Sequence, residues 1–87
     1  MDQTDYARYA LIAVALRLCG HPRDLHSGGD PVLTLVLGAL QQIGLVERFE
    51  HHERASGIDQ VDYVGLRFTQ AAEPEIARVA QFLNQRG

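Results

Sequence analysis

The stretch Leu40-Gln41-Gln42-Ile43-Gly44-Leu45-Val46-Glu47-Arg48 changes its hydrophobic period at the glycine. Before Gly44, the apolar residues Leu33, Val36, Leu37 and Leu40 recur at the spacing of one helix face. After it, Leu45 to His51 alternates loosely, as a half-buried strand does. A helix from about Pro31 to Gln42 or Ile43 therefore stops at Gly44 and hands the chain to a strand. Asp30-Pro31 opens that helix, with an N-cap carboxylate followed by proline at the first helical position.

Working outward toward the N-terminus, the spacing predicts a first helix over Tyr6 to Cys19, capped by Thr4 or Asp5. Only Arg8 and Arg17 are charged within it. Ala7, Ala10, Leu11, Val14, Ala15 and Leu18 form one stripe, and Tyr9, Ile12, Ala13 and Leu16 form a second. A surface helix of a small domain needs one stripe, so two imply a helix wrapped on most sides or one that meets another chain. Gly20 is a left-handed stop and Pro22 prevents continuation. Arg23-Asp24-Leu25-His26 reads as one short helical turn and Ser27-Gly28-Gly29 as loop.

Toward the C-terminus, Glu53 to Gln60 contains Ser56-Gly57 and reads as a loop. Val61 to Thr69 alternates again, with Val64, Leu66 and Phe68 on one face and Gly65 and Arg67 on the other. The two strands make a hairpin with a long tip. Pro74 opens a last helix whose stripe is Ile76, Val79, Ala80 and Leu83, and the tail Asn84-Gln85-Arg86-Gly87 is expected to fray. With no repeat and no linker, residues 1–87 read as a single α+β domain of three to four helices with a hairpin in its C-terminal half.

Composition narrows the function. The chain has 87 residues, 46% hydrophobic and 22% charged, too apolar for a disordered segment and too short for two full domains. No run approaches the roughly 20 apolar residues of a membrane helix. A net charge of −3 gives no general basic field for nucleic acid, and all eight basic side chains are arginine. The single cysteine, Cys19, cannot close an internal disulfide, and the acidic start Met1-Asp2-Gln3-Thr4-Asp5 does not read as a secretory leader, so the expected compartment is the cytoplasm. His51 and His52, as strand neighbours, point to opposite faces, and Cys19, His21 and His26 lack the paired spacing of structural zinc. No catalytic triad, nucleophile elbow or phosphate loop is visible. No metal, cofactor, small-molecule substrate or enzymatic activity is expected.

The order of helix, short turn, long helix, hairpin and helix resembles the winged helix-turn-helix superfamily. The residues that carry the resemblance are Leu40 to Arg48, followed by Val64-Gly65-Leu66-Arg67-Phe68-Thr69. The resemblance spans Tyr6 to Leu83. It implies that Leu40 packs the recognition helix, that Gly44 ends it, that Leu45-Val46 begins the wing, and that Thr69 closes the second strand. It also implies that the helix from Pro31 lies in the major groove of DNA.

The outward positions of that helix are Pro31, Val32, Thr34, Leu35, Gly38 and Ala39. Base edges call for hydrogen-bonding side chains, and only Thr34 qualifies. No basic residue lies between Arg23 and Arg48. The expected function is thus a non-catalytic protein-interaction module, docking on a protein partner or forming a homodimer. Its surface is Val32, Leu35, Gly38 and Ala39, with Tyr9, Ile12 and Leu16 as a second interface, unless other parts of the chain cover the helix. A DNA-binding regulator using Arg23, Thr34, Arg48 and Arg54 is the alternative. An acidic inhibitor of a nucleic-acid enzyme is the third.

Overall fold

The computed structural model describes residues 3–55 and 58–86, without the side chains of residues 4, 51, 53–62 and 86. It is an α+β fold. Helix α1 (Gln3–Leu18) leads into strands β1 (Gly20–His21) and β2 (Asp24–Leu25), then helix α2 (Pro31–Gln42). Strands β3 (Val46–Ala55) and β4 (Ile58–Phe68) follow, then a 3-10 turn (Gln70–Ala72) and helix α3 (Glu73–Arg86). The strands form one antiparallel sheet in the order β1-β2-β4-β3.

Helix α2 starts and stops where its sequence says. The Asp30 carboxylate accepts from the N–H of Val32 (2.8 Å) and of Leu33 (3.3 Å), satisfying two orphan donors of the first turn. At the other end, Leu45 N–H donates to Leu40 O (2.9 Å) and Gly44 N–H to Gln41 O (3.1 Å). This is the paired bonding of a Schellman turn, and it needs a left-handed residue, which Gly44 supplies with φ +81°. Thr69 then ties the turn to the sheet: its Oγ1 donates to Gly44 O (2.8 Å) and its N–H to Leu45 O (2.8 Å).

The core gathers Ile12, Ala15 and Cys19 from α1, Leu25 from β2, and Val36, Leu37 and Leu40 from α2. Leu45, Val46, Phe68, Ala72 and Val79 close it from the hairpin base and the C-terminal segment. The buried face of α1 runs through Ile12, Ala15 and Cys19, taking residues from both expected stripes, because α2 and α3 pack on different sides of it. Beyond the core the hairpin projects. The radius of gyration is 14.8 Å, against about 12 Å for a compact chain of this length, and the molecule measures 52 × 24 × 23 Å.

Four local expectations are corrected. Helix α1 begins at Gln3, so Thr4 and Asp5 lie inside its first turn; Asp5 suits the positive end of the helix dipole and pairs with Arg8 at 2.9 Å. The segment Arg23 to His26 is not a helical turn. Pro22 and Arg23 form the tip of a small hairpin, with Gly20 opposite Leu25 and His21 opposite Asp24. One isolated turn of helix has no nucleus to sustain it, whereas Leu25 here pairs with Leu66 and is buried. The predicted loop Glu53–Gln60 is mostly strand, paired from His52↔Val61 out to Ala55↔Ile58, while Ser56-Gly57 lies outside the described residues. Backbone pairing drives this ribbon, so side-chain periodicity does not announce it. Finally, α3 starts one residue before Pro74 and continues through Arg86, so Asn84 and Gln85 are helical rather than frayed; Gly87 lies outside the described residues.

The two glycines of α2 and its cap provide a matched test. A Cβ at Gly38 or at Gly44 meets no atom within 4 Å, yet only Gly44 has positive φ. Gly38→Ala should stabilise the fold by about 1 kcal/mol through helix propensity. Gly44→Ala should cost about 1–2 kcal/mol through left-handed strain. Urea midpoints of the two variants should shift in opposite directions.

Candidate functional site

Helix α2 divides into three faces. Val36, Leu37 and Leu40 turn inward and are buried, with Leu33 half-buried beside them. Val32, Leu35 and Ala39 share one outer flank by helical spacing. Val32 is 64% exposed and Leu35 73% exposed, so no other element covers them among the described residues. Thr34, Gly38 and Gln41 share the other outer flank, which borders an open groove of about 530 Å³. No side chain of α2 from Pro31 to Gln42 is ionisable.

The sequence-derived surface is therefore split. Val32, Leu35 and Ala39 stay together, while Gly38 turns toward the groove. The second expected interface, Tyr9, Ile12 and Leu16, is corrected. Ile12 is 0% exposed at the centre of the core, and Tyr9 and Leu16 are half-buried against it. The Tyr9 hydroxyl accepts from Arg78 at 3.3 Å, which ties α1 to α3. Sequence spacing alone placed Ile12 on the wrong side because α1 is flanked by both other helices.

The DNA-reading set is also divided. Thr34 and Arg48 both line the groove, whereas Arg23 sits exposed on the β1–β2 turn, and the Arg54 side chain lies outside the described residues. The Thr34 hydroxyl donates to Asp30 O at 2.9 Å, so its one proton is already used locally. His26, Gln41 and Val64 also border the groove and were not marked from the sequence. Their common signal is tertiary, since they come from the β2–α2 loop, α2 and β4.

Three other arginines, Arg8, Arg67 and Arg78, have side-chain partners. Arg67 Nε donates to Glu47 Oε1 at 2.8 Å across the strand pair, and its guanidinium lies over the Phe49 ring. Phe49 in turn lies opposite Gly65, where a Cβ would stand 2.8 Å from the ring, and meets Tyr63 edge-on at 5.9 Å. Arg8 lies 2.6 Å from Glu75 across α1 and α3. Partial burial pulls the Arg8 guanidinium down, but Glu75, Tyr9 and Asp5 together hold it above its ordinary range.

Among the described residues, no three His, Cys, Asp or Glu side chains gather as a metal site requires. His52 Nε2 lies 3.3 Å from Glu50 Oε2, and a register shift falls between His51 and His52, so strict strand alternation does not hold there; the His51 side chain lies outside the described residues. No described helix is long and apolar enough to cross a membrane. No protein-family model, curated protein or solved structure matches the chain.

Cys19 is buried, and burial first, then the charge of Asp30, pushes its thiol above the ordinary range. A neutral buried thiol is a poor nucleophile. The folded state thus holds this proton more tightly than the unfolded chain. That contribution to stability is whole below the ordinary thiol pKa of about 8.5 and is lost as pH rises through the raised value. Urea midpoints should fall more steeply above about pH 8.5 in the native chain than in Cys19→Ala. Iodoacetamide should label Cys19 only as fast as the fold opens.

Proposed function

We propose that this chain is a non-catalytic protein-interaction module of the winged-helix type, and that the outer flank of α2 is its docking surface. The observation that carries the reading is the bare exposure of Val32 and Leu35, side by side on a helix with no charge. Burying two such side chains removes apolar area from water at about 25 cal/mol per Å². Ala39, on the same flank, lets a second backbone come close.

The order of elements supports the winged-helix part of the reading. A short strand after α1 pairs with the far hairpin strand, and α2, the hairpin and α3 follow. The chain departs from a helix-turn-helix pair at residues 19–30, where a small β-hairpin and loop stand between α1 and α2 in place of a helix and tight turn. Without that pair, α2 lacks the preceding helix that accompanies a groove-reading helix in a helix-turn-helix. Its surface is free for protein contact instead.

A second copy is the partner we assign. Each copy carries a net charge of −3, so copies repel weakly at long range. The uncharged flank of α2 offers a two-fold contact in which the same patch packs on itself. A DNA-binding regulator remains the second reading, on the single ground that Thr34 and Arg48 border one groove. Steeply salt-dependent binding of free duplex in a gel shift would favour it over self-association.

Multi-angle light scattering tests the proposal. The chain should approach twice its 9.7 kDa mass as concentration rises. Leu35→Glu should return it to the monomer mass with an unchanged circular dichroism spectrum, because Leu35 is outside the core. A wild-type chain that stays monomeric, or a variant that still dimerises, rules out this surface.

A further inference from the structure

The groove on the opposite flank of α2 has a different character from the flank that carries Leu35. Its floor is apolar, formed by Leu37 and Leu66, with Val64 on the hairpin wall. Gly38 leaves the helix wall open, since a Cβ there meets nothing within 4 Å. Arg48 stands on the facing wall and is exposed. Among the described residues, no aspartate or glutamate lines the groove.

Arg48 differs from its neighbour on the hairpin. Arg67 is held by Glu47 at 2.8 Å, whereas Arg48 has no ion pair among the described residues. Glu50 follows it on the same face of β3, but the Glu50 carboxylate faces His52 at 3.3 Å. An acidic chain thus presents an apolar groove lined by one arginine, Arg48, whose guanidinium has no ion pair among the described residues.

We infer that this groove binds a short peptide segment of a partner protein, one that places an aspartate or glutamate carboxylate on Arg48 and adjoining aliphatic side chains on Leu37, Leu66 and Val64. The guanidinium fork matches a carboxylate with two parallel N–H donors. The apolar floor matches aliphatic side chains and offers no platform for stacked bases. A single arginine also falls short of the several phosphate contacts that hold a duplex. The site lies apart from the self-docking flank, so each stands or falls by itself.

The probe is a phage-displayed library of random dodecapeptides selected on the wild-type chain. The enriched pool should carry Asp or Glu beside Leu, Ile or Val. Synthetic copies should shift the amide resonances of Thr34, Gly38 and Gln41 and lose affinity as salt is added. Arg48→Gln should weaken them by about tenfold or more. Gly38→Leu should block them by filling the groove while its melting temperature shows an intact fold. Leu35→Glu should bind them as the wild type does, which separates this site from self-association. The inference is overturned if no peptide is enriched, if enriched peptides lack an acidic residue, or if they bind Arg48→Gln as tightly as wild type. It is equally overturned if they leave the groove amides unmoved, or if a short DNA duplex or RNA strand occupies the same amides more tightly than any selected peptide.

Discussion

The turn at Gly44 is the constraint on which the rest of the molecule depends. It reverses α2 into β3 through three residues, Ile43 to Leu45, using two carbonyls that the helix end would otherwise leave unpaired. Thr69 then binds the same turn from the far end of β4, through both its hydroxyl and its N–H. One short corner therefore fixes the end of α2, the start of β3 and the exit of β4 toward α3. Loosening it would weaken the hold of the hairpin on the helix, and the groove lies between these two elements.

Given that corner, α2 must present its inner face to the core and two flanks to the outside. Val36, Leu37 and Leu40 fill the inner positions. The two flanks then differ in chemistry because a helix turns about 100° per residue, so neighbours in sequence diverge in space. Val32 and Leu35 face open solvent, whereas Thr34, Gly38 and Gln41 face the hairpin. One uncharged helix thereby serves two surfaces: a bare apolar flank, and one wall of a groove whose charge is supplied from β3.

The sheet is organised around the same economy of charge. On the hairpin face bearing Gly65, Glu47 and Arg67 neutralise each other, and Phe49 covers the glycine beside Tyr63. This aromatic cover gives Gly65 the packing that its missing side chain cannot provide. Between α1 and α3, Arg8 with Glu75 and Arg78 with Tyr9 close the helix pair around its buried residues. Such partly exposed contacts orient the helices more than they stabilise them. Arg48 stands outside both arrangements, which is what distinguishes the groove.

Much of this architecture is legible without coordinates because it rests on local rules. Asp30-Pro31 starts a helix, Gly44 stops one, and the alternation of Val64, Leu66 and Phe68 marks a strand; each is a property of a few consecutive residues. The α+β class and the inner face of α2 follow from the same signals. The small β1–β2 hairpin does not, since its Leu25 takes the strand state by pairing with Leu66, distant in sequence. Nor does the long ribbon, whose paired backbone leaves no apolar stripe to read. The burial of Ile12 is likewise tertiary: periodicity shows that α1 has two apolar stripes, but only the packing of α2 and α3 decides where their shared centre lies. Local sequence determines which way a chain is able to turn, because caps and periodicity act over a few residues. Which surface remains bare is decided by partners far along the chain, and so only the tertiary structure separates Leu35 from Gly38 and leaves Arg48 facing an open groove.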